Sequence, residues 1–165
     1  MNGDDSLYQL AADCGRTLLL RRQRLALAES CTGGWIAKAL TDVPGSSQWF
    51  EAGFVTYSNS AKQRSLGVEA AVLARHGAVS REVVEQMATG ALHATGADVS
   101  LAVSGVAGPD GGTADKPVGM VWFATCRAGH APRAQQRRFA GSRDEVRRQA
   151  MQHALELIRQ SSATE

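Results

Sequence analysis

The sequence is poor in the features that mark disulfide-linked, metal-binding or membrane-spanning proteins. Its three cysteines, Cys14, Cys31 and Cys126, stand alone and form no C-x-x-C pair, which excludes the common spacings of a disulfide framework or a zinc site. Its histidines form no H-x-x-x-H pair, and its acidic residues form no cluster with metal-ligand spacing. No apolar run approaches the roughly 20 residues that span a membrane. We therefore predict a protein without a metal or other cofactor that does not enter the membrane.

Charge of one sign is also scarce. The formal net charge is +2, which by itself is too small to indicate a nucleic-acid-binding surface. The chain opens with MNGDD, which is polar and acidic, whereas a secretory signal begins with basic and then apolar residues. Together with the isolated cysteines, these features predict a soluble cytoplasmic protein for which nucleic acid is not the expected partner.

Apolar residues are plentiful by contrast. They make up 44% of the 165 residues, enough to bury the core of one domain, expected over residues 1–165. Periodicity and capping residues predict helices over about 7–22, 35–40, 59–66, 80–95 and 142–160. Short β-rich runs predict strands over about 25–28, 53–57, 99–103, 118–126 and 135–139. This alternation indicates an α/β sandwich around a sheet, and the closely spaced last two strands predict an antiparallel pair and hence a mixed sheet.

The segment 29–34 follows a predicted buried strand and precedes a predicted helix. Ligands of α/β proteins bind at this edge of the sheet, and the start of a helix favours an anion or an oxyanion. The alternative is an ordinary helix cap whose glycines allow tight packing. The segment matches neither a P-loop nor a G-x-S-x-G elbow, so both interpretations stay open.

A serine and a lysine further along could form a nucleophile and its base. Ser47 ends the turn Pro44–Ser47, and Lys62 lies near the start of a predicted helix. A lysine can take a serine proton only if its pKa falls from about 10.4 to roughly 7–8. Desolvation, or the positive end of the helix dipole, would act in that direction. The alternative for Lys62 is a solvated surface residue.

Two more segments could hold a ligand. The glycine-rich stretch Ser104–Thr113 follows another predicted buried strand, and its small side chains would let backbone amides approach a ligand closely. A loop built only for flexibility is the alternative. Arg143, Arg147 and Arg148 lie on one side of the last predicted helix, and guanidinium forks suit phosphate. A solvated basic face is the alternative for at least one of them.

Read together, these segments resemble the CinA C-terminal domain family, and within it the stand-alone nicotinamide-nucleotide amidases. The resemblance rests on AESCTGGWIAKALTDVPGSSQWFEAGFVTYSNSAK, GAVS, SGVAGPDGGTADKPVGMVWFA and SRDEVRRQA, which lie between residues 28 and 150. It implies a three-layer α/β/α sandwich with a mixed central sheet. It also implies hydrolysis of the carboxamide of nicotinamide mononucleotide by a serine and a lysine without a metal. Longer family members carry a separate metal-dependent domain, and we expect its activity to be absent.

The resemblance further implies roles for individual residues. Lys62 is the base, Tyr57 assists or orients it, and the nucleophile is Ser47 or Ser30, of which we favour Ser47. In that case Ser30 belongs to the helix start that binds the oxyanion or the phosphate. The residues implied to bind the substrate are Thr32, Gly33, Gly34, Ser104, Gly105, Gly108, Gly111, Gly112, Arg143 and Arg147.

Two other functions stay open on the sequence alone. The association of the family with competence and DNA damage suggests a binding protein without catalysis, and a Ser/Lys amidase for another nucleotide is the second alternative. The expected partner is a small nucleotide, and the resemblance also allows a homo-oligomer.

Overall fold

The structure, a computed structural model, describes residues 3–163. Residues 1–2 and 164–165, the ends of the predicted domain and part of the MNGDD start, lie outside the described residues. The helices are α1 (Gly3–Leu20), α2 (Trp35–Thr41), α3 (Asn59–Leu66), α4 (Ala70–His76), α5 (Arg81–Thr95) and α6 (Arg143–Ala163). The strands are β1 (Leu25–Glu29), β2 (Phe50–Val55), β3 (Val99–Gly105), β4 (Met120–Arg127) and β5 (Arg133–Arg138).

The five strands form one sheet in the order β2-β1-β3-β4-β5. β2, β1 and β3 are parallel, whereas β4 runs antiparallel to β3 and β5 antiparallel to β4. Every residue of β1 is buried, as expected for a parallel strand covered on both faces. β5, at the edge, has the polar sequence RAQQRR, and charged edge strands resist pairing with another chain. The predicted mixed sheet and antiparallel last pair are confirmed.

Helices cover both faces of the sheet and enclose two apolar cores. The first core joins α1, α2 and α6 to the sheet, and the second joins α3, α4 and α5 to the other face. Alternate residues of β1 enter each core, with Leu25 and Leu27 in the first and Ala26 and Ala28 in the second. The predicted three-layer α/β/α architecture is therefore confirmed. No helix within residues 3–163 is long and apolar enough to cross a membrane.

Most observed boundaries lie within a few residues of the predicted ones, and α4 is an additional element. No element was predicted over Ala70–His76, which forms the seven-residue α4. β2 ends at Val55 and not at Tyr57. The reason is that Thr56 N–H makes a last bond to the Glu29 carbonyl, after which Ser58 caps α3 by accepting from the N–H of Ala61.

The sheet has two functionally distinct edges. β1, β2, β3 and β5 all end at the same edge, and α6 begins there soon after β5. We call this the carboxyl edge, and the opposite one the amino edge. Most of the candidate residues follow strands that end at the carboxyl edge.

Candidate active site

A buried serine and lysine meet at the carboxyl edge. Ser30 directly follows β1, and Lys62 is the fourth residue of α3. The Lys62 Nζ lies 3.0 Å from the Ser30 Oγ and donates a 2.7 Å hydrogen bond to the Thr56 carbonyl. Only 1% of Lys62 and 8% of Ser30 is exposed. The alternative interpretation of Lys62 as a solvated surface residue is therefore wrong.

The surroundings of Lys62 favour its uncharged form. Burial lowers the pKa of the Lys62 amine, and an ionised Cys31 would oppose this effect. Burial also raises the pKa of the Cys31 thiol to about 12, so this thiol carries no charge near pH 7. Desolvation therefore acts on Lys62 without a compensating anion from Cys31.

The Thr56 carbonyl orients the amine. A carbonyl oxygen can only accept, so one N–H of Lys62 must point toward it. A neutral amine with one N–H directed there can turn its lone pair toward the Ser30 hydroxyl and accept its proton. This is the arrangement of a nucleophile, a base and a third group that orients the base.

Backbone hydrogen bonds hold Ser30 on both sides. Its N–H donates to the Val103 carbonyl at 3.0 Å, and its own carbonyl accepts from the Gly33 N–H at 3.0 Å. Val103 pairs with Glu29 in the sheet. Ser104, the next residue of β3, is buried. The hydroxyl of Ser30 is thereby directed by a rigid backbone.

Glu29, which sequence reasoning did not select, organises the chain after Ser30. Its buried carboxylate accepts a 2.5 Å hydrogen bond from the Thr32 hydroxyl, and backbone N–H bonds from Gly34 at 3.1 Å, Ile36 at 3.2 Å and Ala37 at 2.8 Å. The available signal was a carboxylate just ahead of a helix start, where negative charge is stabilising.

Hydrogen bonds within the chain also involve the groups of Thr32, Gly33 and Gly34 that were predicted to bind a ligand. The Thr32 hydroxyl and the Gly34 N–H serve Glu29, and the Gly33 N–H serves the Ser30 carbonyl. A protein carboxylate thus occupies the helix start that was predicted to bind an oxyanion or phosphate.

Tyr57 and Arg143 also lie at the carboxyl edge, but Tyr57 bonds to Arg143 and not to Lys62. The Arg143 Nη2 donates to the Tyr57 hydroxyl at 2.9 Å, and Nη1 donates to the Gly108 carbonyl at 2.8 Å. Tyr57 is 61% exposed. Arg143 therefore connects the segment after β2 to the glycine-rich loop.

The glycines of that loop let the chain pack on itself. A Cβ on Gly108 would lie 2.5 Å from Val118, and one on Gly112 would lie 2.9 Å from the same side chain. Gly105 is equally confined by Val121. Gly111 is exposed, with a φ of +86°. Tight packing against Val118 and Val121 thus explains three of the four predicted glycines.

The remaining arginines of α6 have different partners. Arg147 donates from Nε to the Cys31 carbonyl and from Nη2 to the Thr32 carbonyl, each at 3.1 Å. Arg148 forms an ion pair with Asp4 on the surface. The three arginines that were predicted to lie on one side of the helix thus contact different parts of the chain.

Ser47, the favoured nucleophile, lies at the amino edge. It is exposed in the short 3-10 turn Ser46–Gln48 that precedes β2, and its carbonyl accepts from Arg24 at 3.4 Å. β2 has six residues, so at about 3.3 Å per residue roughly 17 Å of strand separates its two ends. Within one chain, the structure does not bring Ser47 to Lys62, because the two residues flank opposite ends of the same strand.

Comparison with known proteins places these features in a family. Residues 7–162 match the family model described as the CinA C-terminal domain. The chain is 52% identical over 155 residues to the nicotinamide-nucleotide amidohydrolase PncC of Escherichia coli strain K12, covering 94% of each chain. It is also 52% identical over 152 residues to the PncC of Pseudomonas putida, covering 92% of this chain and 94% of that one.

Solved structures agree with this relationship. The competence/damage-inducible protein CihA of Agrobacterium tumefaciens superposes with a TM-score of 0.93 at 40% identity, covering 99% of this chain and 98% of that one. The protein therefore belongs to the CinA C-terminal domain family.

Proposed function

We propose that this protein hydrolyses the carboxamide of nicotinamide mononucleotide to nicotinate mononucleotide and ammonia, with Ser30 as nucleophile and Lys62 as base. The substrate is inferred from the amidohydrolases that match over nearly the whole chain. The mechanism depends on one observation, the buried 3.0 Å contact between the Lys62 Nζ and the Ser30 Oγ. This proposal replaces Ser47 by Ser30 as the favoured nucleophile.

The reaction proceeds through an acyl-enzyme. Ser30 Oγ bonds to the carboxamide carbon while its proton passes to the Lys62 Nζ. The C–N bond then breaks, and the proton on Nζ leaves with ammonia. Water attacks the ester and gives a proton to Nζ, which passes it to the Ser30 Oγ as nicotinate mononucleotide leaves.

The positive charge of the substrate assists both Ser30 and Lys62. The positive charge of the pyridinium ring draws electrons from the carboxamide carbon, which makes attack by Ser30 easier. The same charge near Lys62 favours the neutral amine. We assign stabilisation of the developing oxyanion to backbone N–H groups of the turn that follows Ser30.

We assign the ribose and phosphate of the substrate to Ser104, the glycine-rich loop and Arg143, whose guanidinium already lies against that loop. Replacing Arg143 by Met should raise KM for the nucleotide more than it lowers kcat. Three unpaired, buried cysteines suit the reducing cytoplasm as the place of this reaction.

Ammonia release from nicotinamide mononucleotide, with and without a chelator, tests the proposal. We expect Ser30→Ala and Lys62→Met to lower kcat by about 10³-fold or more, as removal of a nucleophile or its base does. Ser47→Ala should retain activity. Lys38→Met is the matched lysine control, because Lys38 is exposed and pairs with Asp42 on the surface.

The outcomes separate the alternatives clearly. Full activity in Lys62→Met would contradict the Ser/Lys mechanism. Loss of activity in Ser47→Ala with retention in Ser30→Ala would restore Ser47 as the nucleophile. Release of ammonia only from other amides would contradict the substrate, and sensitivity to the chelator would contradict the metal-free mechanism.

A further inference from the structure

We propose that Arg147 is a positioning residue that holds the turn at residues 30–33, here called the nucleophile turn, so that Ser30 reaches Lys62. This role rests on the proposed function of Ser30. It differs from the phosphate-binding role that the sequence predicted for Arg147.

The guanidinium of Arg147 grips two successive carbonyls of the nucleophile turn. Nε donates to the Cys31 carbonyl and Nη2 to the Thr32 carbonyl, both at 3.1 Å. The guanidinium also lies over the Trp35 ring, 5.5 Å from its centroid, within the range of a cation–π contact. A side chain anchored at three points in this way has little freedom to turn toward a ligand.

Gly33 makes this approach feasible. A Cβ at this position would lie 3.3 Å from the Arg147 Nη2, and the Gly33 φ of +60° is also one that glycine adopts most easily. A side chain at position 33 would therefore crowd the guanidinium and require it to shift by a few tenths of an ångström.

Glu29 holds the same segment from its N–H side. Its carboxylate accepts from the Thr32 hydroxyl and from the Gly34 N–H, whereas Arg147 binds carbonyls. The nucleophile turn is therefore fixed by an anion on its donor groups and a cation on its acceptor groups. Charged hydrogen bonds of this kind are roughly twice as strong as neutral ones.

The three arginines at the start of α6 provide an internal comparison. Arg143 contacts the exposed Tyr57 and the glycine-rich loop, Arg147 contacts the nucleophile turn, and Arg148 pairs with Asp4 at the surface. Their contacts predict three different kinetic effects. Arg143 should affect substrate binding, Arg147 the chemical step, and Arg148 neither.

Steady-state ammonia release from nicotinamide mononucleotide and from nicotinamide riboside distinguishes these roles. We expect Arg147→Met to lower kcat roughly 10- to 100-fold, because small displacements of a reacting group have effects of this size. KM should stay within about threefold, and the preference for the phosphorylated substrate should be unchanged. Arg147→Lys should be intermediate, because it retains the charge but loses the fork.

The matched variants complete the design. Arg148→Met should behave as the wild type, and Arg143→Met should raise KM for the nucleotide about tenfold or more. A large rise in KM and a lost phosphate preference in Arg147→Met, with kcat intact, would overturn the proposal. Unchanged kinetics in that variant would overturn it as well.

A second measurement keeps the test independent of the substrate. A fluorophosphonate labels an activated serine directly, and mass spectrometry of the intact chain gives the labelling rate. We expect Arg147→Met to slow labelling of Ser30 at least tenfold relative to the wild type and to Arg148→Met. If the wild type is labelled but releases no ammonia from the nucleotide, the substrate assignment fails. Equal labelling of folded wild type and folded Arg147→Met overturns the positioning role alone.

Thermal unfolding of each variant confirms that it is folded. If Arg147→Met does not fold, Arg147→Lys provides the comparison.

Discussion

At the scale of single residues, the decisive feature is an amine buried without an acidic partner. The hydrogen bonds described for the Lys62 Nζ go to a hydroxyl and a backbone carbonyl, and among the described residues no carboxylate forms an ion pair with it. Charging a buried amine without a counter-ion is costly. The site therefore holds Lys62 ready to accept a proton, at some cost to the stability of the fold.

The lowered pKa of Lys62 determines how activity depends on pH. We expect kcat/KM to rise with pH while Lys62 loses its proton, and to reach a plateau well below the usual lysine pKa of about 10.4. A pH–rate profile on nicotinamide mononucleotide measures this. A rise that continues to about pH 10.4 would contradict the lowered pKa.

The lowered pKa of Lys62 also makes the stability of the fold depend on pH. Between the folded and unfolded pKa values of Lys62, the unfolded chain binds more protons, so stability rises with pH across that interval. The penalty is fully present below the folded pKa. Lys62→Met removes it, so its stability advantage over the wild type should shrink as pH rises through this interval.

At the scale of secondary-structure elements, the position of Lys62 depends on a close crossing of α3 and α5. Leu66, at the end of α3, lies so near α5 that a Cβ on Gly90 would meet the Leu66 carbonyl oxygen at 1.9 Å. Backbone atoms cannot yield as a flexible side chain can. Gly90 therefore determines how closely the helix that carries Lys62 approaches its neighbour.

We expect Gly90→Ala to displace α3 and to impair both stability and catalysis. Overpacking of this kind costs about 1–3 kcal/mol, and movement of Lys62 should lower kcat. Chemical denaturation and ammonia release measure the two effects. His93→Ala, an exposed position on the same helix, is the control, and wild-type kcat in Gly90→Ala would show that the crossing does not position Lys62.

At the scale of the whole molecule, the sheet separates two cores, and each core contains at least one cysteine. Cys14 and Cys31 lie in the first core, and Cys126 lies in the second. Burial raises the pKa of Cys14 and of Cys31 to about 12, and it also raises that of Cys126. The reactivity of the three thiols therefore shows whether the core on each face of the sheet is intact.

We expect all three thiols to resist a thiol reagent in the native protein and to become reactive in one unfolding transition. Small domains unfold cooperatively, and β1 contributes side chains to both cores. Labelling as a function of denaturant, with the sites located by mass spectrometry, measures this. Exposure of Cys126 at lower denaturant than Cys14 would show instead that the two layers unfold separately.

Much of the architecture follows from local patterns. Apolar periodicity predicted five of the six helices in the described residues, and β-rich runs predicted all five strands of the sheet. Ser142 and Glu145 form a capping box at the start of α6, since each residue's side chain accepts from the other's backbone N–H. Such features depend on neighbours a few residues apart, which the sequence shows directly.

Long-range contacts explain what the sequence left open. Glu29 and Arg147 act on the nucleophile turn from opposite sides, yet 118 positions separate them along the chain. Nothing local distinguishes Arg147 from Arg143 or Arg148, because all three lie at the start of one helix. Their different partners depend on which loops the folded sheet brings to the carboxyl edge.

By itself, the sequence determined the alternation of helices and strands, the family resemblance and a short list of nucleophiles and bases, because these depend on residue type and spacing. Only the tertiary structure decided which of those residues meet. On the sequence alone we favoured Ser47 over Ser30, but parallel pairing of β1 and β2 puts Ser30 beside Lys62 and leaves Ser47 at the opposite end of β2. Burial, which makes Lys62 a base, is likewise a property of the packed layers and not of the segment in which it lies.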